Sequence, residues 1–150
     1  MSQVKQLPQD EGVTLEDPPL SGLPTTIRKP LKGSLCNITF NCNKGLRDKI
    51  PQAADYARRA TADILHLVEP FHEKVKPSEQ EVARHIKQAN NKGYKLYSSK
   101  YSVLLLKKRL TQKMIGKPEI IKDGRLIICE FQIDKHEHLL LINAYGVVHR

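Results

Sequence analysis

The sequence predicts an α+β fold of three helices and a small antiparallel sheet, placed after a disordered N-terminal arm. Three observations carry this. Apolar residues recur at three- and four-residue steps in some segments and alternate in others. Ser78-Glu79-Gln80-Glu81 reads as a helix-opening capping box. Asp123-Gly124 sits between two strand-like runs. At 150 residues the chain fits one domain and a tail better than two domains.

Taken in order, residues 1–32 contain Pro8, Pro18, Pro19, Pro24 and Pro30 among polar and acidic groups. So many missing backbone donors prevent a regular helix, so this stretch is expected to be a flexible arm. Residues 33–150 form the domain. Leu35 to Phe40 alternates as a half-buried strand does, and Asn41, Asn43 and Gly45 mark the turn after it. From Pro51 to about Glu69, Ala53, Ala57, Ala60, Ile64, Leu67 and Phe71 keep helical spacing, with Pro51 in the first turn and Pro70 beyond the end. The helix opened by Ser78 turns Val82, Ile86 and Ala89 inward and ends at Asn90-Asn91-Lys92-Gly93. A third helix is expected from about Ser99 to Ile115, stopped by Gly116 and Pro118. Glu119 to Lys122 and Arg125 to Ile133 then read as a hairpin closed by a type I′ turn, and Leu139 to Asn143 as a further strand.

Composition narrows the function classes. The longest apolar runs, 102–106 and 139–142, are far below the roughly 20 residues of a membrane span. The N-terminus lacks the basic and apolar regions of a secretory signal. Three irregularly spaced cysteines do not form a disulfide framework, which points to a reducing, intracellular location, nuclear or cytoplasmic. No phosphate loop, nucleophile elbow or dinucleotide fingerprint is present, so neither cofactor nor enzymatic activity is expected.

The net charge of +9 is concentrated. Residues 77–117 hold ten of the 25 basic groups, and no acid occurs between Glu81 and Glu119. Such an excess attracts polyanions, with affinity falling steeply as salt rises. The candidate contacts for nucleic acid are Lys107, Lys108 and Arg109 at the centre, supported by Lys92, Lys95, Lys100 and Lys113. Tyr94, Tyr97 and Tyr101 are interleaved, as rings that stack on bases would be. Lysine outnumbers arginine eight to two in this segment, which favours phosphate contacts over bidentate reading of guanine. The element order and charge over residues 33–133 resemble the winged-helix pattern of DNA-binding domains. That resemblance implies a recognition helix at Ser99 to Ile115 and a wing at Lys122 to Arg125.

The leading expectation is therefore a basic nucleic-acid-binding protein, for DNA or RNA, acting through a helix-turn-helix segment at 82–117. The alternative is a protein interaction or assembly module, such as an accessory subunit or viral factor, using the basic face and the N-terminal arm. A third reading is a divalent-metal nuclease. Asp123 with Glu130 and Gln132 resembles the metal-binding pattern of restriction-type nucleases, although Gln replaces the usual Lys. His136, His138 and Cys129 offer possible zinc ligands, but no Cys-x-x-Cys pair accompanies them and no metal site is expected. His66, His72 and His85 are expected to cap or cover helices.

Overall fold

The computed structural model describes residues 12–14, 26–28, 34–72 and 74–146. Of the arm, the described part is an antiparallel ladder between β1 (Gly12–Thr14) and β2 (Thr26–Arg28), with Val13 opposite Ile27. The rest of the 1–32 prediction lies outside the described residues.

A four-stranded sheet in the order β3-β4-β6-β5 forms the middle layer of the domain. Its strands are β3 (Asn37–Asn41), β4 (Ile64–Val68), β5 (Tyr94–Ser98) and β6 (Ser102–Lys107). β3 and β4 run parallel and are joined through α1 (Ile50–Arg59), whereas β4 and β5 are antiparallel to β6. On one face α1 and α2 (Glu79–Asn91) cover the sheet. Ala53, Ala54, Ala57 and Ala89 lie there against Leu65, Leu67, Val103 and Leu105. Small alanines let a helix approach the strands closely. On the other face Ile64, Leu104 and Leu106 meet Ile127, Cys129 and Phe131 of a second, three-stranded antiparallel sheet. That sheet has the order β7-β8-β9, with β7 (Glu119–Ile121), β8 (Leu126–Gln132) and β9 (His138–Ala144).

Burial on both faces explains the largest departure from the sequence prediction. All of β4, and β6 from Ser102 to Leu106, is buried. A strand covered on both sides has no polar alternation, so its apolar run imitates part of a buried helix. The helix expected from Pro51 to Glu69 therefore ends at Arg59, with Thr61 at φ 52° closing it, and Ile64–Val68 is a strand. The helix expected at Ser99 to Ile115 is replaced by β6 and the four-residue α3 (Lys108–Thr111). There is thus no recognition helix in this segment. The mixed helix-and-sheet content agrees with the prediction, but within residues 34–146 two sheets stand where one was expected.

Other expectations match. Ser78 caps α2 by accepting from the Glu81 amide at 3.1 Å, but the Glu81 carboxylate grips Arg47 at 2.7 Å instead of turning back. His85, not Ile86, points inward: His85 is fully buried and Ile86 is 43% exposed. The predicted Asp123-Gly124 turn is present, but the loop is four residues long, because Lys122 (φ 51°) and Arg125 lie outside β7 and β8. Asp123 (φ 57°) and Gly124 (φ 98°) both take positive φ, and the Arg125 amide donates to the Lys122 carbonyl at 3.2 Å. β9 matches the predicted last strand.

Candidate functional site: a groove at the carboxyl ends of the parallel strands

At the ends where β3 and β4 finish, the β5–β6 turn and the 122–125 turn converge on one groove of about 1120 Å³. Ligands of sheets with parallel strands commonly bind outside the strands' carboxyl ends. Four cations line it, Lys44, Lys76, Lys100 and Arg125, against two carboxylates, Glu69 and Asp123. Asn41, His72, Ser98, Ser99, Tyr101 and Tyr145 add to the polar wall.

Glu69 follows the last residue of β4. Its carboxylate accepts from the Tyr145 hydroxyl at 2.6 Å. That hydrogen bond, a second from the Asn41 side chain and the nearby Lys44 charge hold its carboxyl below the usual range, against a smaller opposing effect of burial. Asn41 also accepts from the Asn43 amide at 2.8 Å, which fixes the orientation of its own side chain.

The groove backbone is both strained and pinned. Among the described residues six non-glycine positions have positive φ, and five of them lie in or next to the groove: Asn43, Lys44, Glu69, Lys122 and Asp123. Such conformations cost of order 1–3 kcal/mol each and concentrate at functional sites. Backbone hydrogen bonds hold them in sequence. The Lys44 amide donates to the Glu69 carbonyl at 2.7 Å, Glu69 to Tyr101 at 3.1 Å, and Tyr101 to Asp123 at 2.9 Å. The Tyr145 amide then donates to the Arg125 carbonyl at 2.7 Å. Five segments distant in the chain thus share one rigid frame.

The candidate contacts read from the sequence are divided by this fold. Lys100 lines the groove, with its ammonium 5.2 Å from the Tyr101 ring. Lys107, Lys108 and Arg109 lie at the opposite end of β6, where Lys107 donates its amide to Asp63 before β4 begins. Six strand residues separate the two ends by roughly 20 Å. Some of these charges are already paired: Lys92 with Asp55 at 3.1 Å, and Arg109 with Asp63 at 3.7 Å. Lys95 reaches the Tyr97 ring at 5.7 Å, and Lys113 follows α3. Tyr94 cannot stack on a base. Its ring is buried and its hydroxyl donates to the Ala62 carbonyl at 2.7 Å. Tyr97 is half-buried and packs against the core between the two sheets.

The other constellations are not assembled. Glu130 lies on the outer face of β8 beside His138, while Asp123 lines the groove, and Gln132 donates to the Asp134 carbonyl. Cys129 is buried toward the first sheet, away from His138, and among the described residues no three metal-ligating side chains cluster. His66 is buried in β4 and not on a helix; His72 is exposed in a loop on the groove wall.

Sequence reading did not find Asn41, Glu69 or Tyr145. They are single residues far apart in the chain, and only the strand order brings them together. No family model, no curated protein and no solved structure matches this chain.

Proposed function

We propose that the protein binds nucleic acid through phosphate contacts in the groove, and that Glu69 makes this a site of metal-assisted phosphodiester cleavage. The binding reading continues the one drawn from the charge distribution but moves its centre from the 107–109 cluster to Lys44, Lys76, Lys100 and Arg125. The groove, about 1120 Å³, lies near the top of the range usual for small-molecule pockets, and its four cations are what favour a polyanion.

One observation carries the cleavage reading: a carboxylate kept ionised among cations, held by a tyrosine hydroxyl and an amide on an over-determined backbone. Mg²⁺ keeps most of its waters and is commonly held by one or two carboxylates together with substrate phosphate oxygens. Glu69, oriented by the Tyr145 hydroxyl and the Asn41 amide that donate to it, offers such a foothold without a three-ligand cage. The metal would polarise the phosphoryl oxygen. Hydrolysis there would form one P–O bond to water and break one P–O ester bond, and the proton given up by the water would balance the one taken by the departing oxygen. The surrounding cations offset the charge that builds on the phosphoryl oxygens.

Incubation with supercoiled plasmid and Mg²⁺ tests this. Nicking is expected, lost in EDTA and lost in Glu69→Gln, with the variant still retaining DNA in a filter-binding assay. Intact plasmid with the wild-type protein would refute cleavage. Cleavage undiminished in Glu69→Gln would place the chemistry elsewhere.

A further inference from the structure

We infer that Arg125 is a phosphate clamp held in reserve on Tyr101, and that it closes on a backbone phosphate adjacent to the one at Glu69. This rests on the reading of the groove as a nucleic-acid site. The Arg125 guanidinium lies 4.7 Å from the centre of the Tyr101 ring, and one of its Nη groups reaches the Tyr101 hydroxyl at only 3.4 Å. Its Nε–H is buried with no acceptor among the described residues. A buried donor without a partner is costly, most of all on a charged group. The resting position therefore leaves one guanidinium donor unsatisfied, and a ligand that draws it away displaces the ring contact and the 3.4 Å hydrogen bond.

What Arg125 lacks is an acceptor that takes Nε–H and Nη–H together. A phosphate with two free oxygens is such an acceptor. The location supports that ligand. The Arg125 carbonyl accepts the Tyr145 amide, and the Tyr145 hydroxyl holds Glu69, so the clamp and the carboxylate are linked through one residue. The preceding turn is fixed. A Cβ on Gly124 would fall 1.9 Å from the Ser99 hydroxyl, and the Ser102 hydroxyl donates to the Gly124 carbonyl at 2.8 Å. The base of the side chain is thus immobile while its tip is under-bonded.

The experiment is binding of short oligonucleotides in which one phosphate at a time is an uncharged methylphosphonate, with Ca²⁺ in place of Mg²⁺ to prevent cleavage. Arg125→Gln is expected to weaken binding of the unmodified strand roughly 10- to 100-fold. At one methylphosphonate position next to the scissile linkage, wild type and variant should bind alike; elsewhere the difference should persist. Arg125→Lys should restore only part of the affinity, because an ammonium lacks the fork. An equal Arg125→Gln penalty at every position would overturn the clamp while leaving the groove reading standing. If the wild-type protein binds no oligonucleotide, the groove reading fails and the clamp with it.

Discussion

Tyr145 sets the charge of Glu69 more than any other residue does, through a 2.6 Å hydrogen bond across 76 positions of chain. That bond stabilises the ionised carboxylate, so the pH at which Glu69 protonates lies below the usual range. Tyr145→Phe removes the donor and keeps the ring. The acid limb of the cleavage profile should move to higher pH, with the plateau rate changing less than in Glu69→Gln; an unmoved limb would separate Tyr145 from the chemistry. A second residue-scale consequence concerns His66, buried in β4 with both ring nitrogens unpartnered among the described residues. Desolvation lowers its pKa from 6.5 to about 4. Tyr97 and Cys129, in the core between the two sheets, have pKa values raised by burial and stay neutral in acid. With its folded pKa depressed, His66 binds a proton more readily in the unfolded chain. Its contribution is complete above about pH 6.5 and is lost as pH falls toward 4, by on the order of 3 kcal/mol. His85, also lowered by burial, adds in the same direction. Urea unfolding at pH 7 and pH 4.5 should show this loss, and His66→Leu should shrink it.

Among the elements, the legible ones each had one face exposed or one distinctive turn. β3 and β8 alternate because water lies on one side of them. Ser78 and Asp123-Gly124 have local stereochemical reasons that hold in any fold. β4 and β6 were not legible, because a strand buried on both faces differs from a helix segment only in what surrounds it. The positive φ of Glu69 and Lys44 is likewise imposed by tertiary hydrogen bonds and leaves no trace in residue type. The 122–125 turn is the element where local and tertiary demands meet. Gly124 supplies both a φ of 98° and the space against Ser99. Gly124→Ala should destabilise the fold by about 1–3 kcal/mol in chemical denaturation. Adding Ser99→Gly should recover the steric part and leave the conformational part. If the double variant is no more stable than the single one, the turn does not dock as described.

At the scale of the whole molecule, the distribution of charge is decided by the direction of β6. Contiguous in sequence, Lys100 and the Lys107 to Arg109 cluster are delivered to opposite ends of one sheet, with buried Leu104, Leu105 and Leu106 between them. A continuous basic stripe is therefore impossible, and binding should depend on one end. The groove end carries four cations with two carboxylates, Glu69 and Asp123, on a preorganised backbone; at the other end Asp55 and Asp63 partly neutralise Lys92 and Arg109. Each phosphate contact contributes about 0.9 to the slope of log affinity against log salt on duplex DNA, and about 0.7 on single strands. Lys44→Glu with Lys100→Glu should thus flatten the salt dependence by roughly one to two contacts' worth and weaken binding for all sequences alike. Reversal of Lys107, Lys108 and Arg109 should lower affinity through the general field of the protein, an effect that fades near 0.15 M salt because screening acts over about 8 Å. The comparison requires circular dichroism spectra matching wild type for both variants. Should the 107–109 variant instead lose the salt slope while the groove variant keeps it, the contact surface lies at the far end of β6, where the sequence alone had centred it.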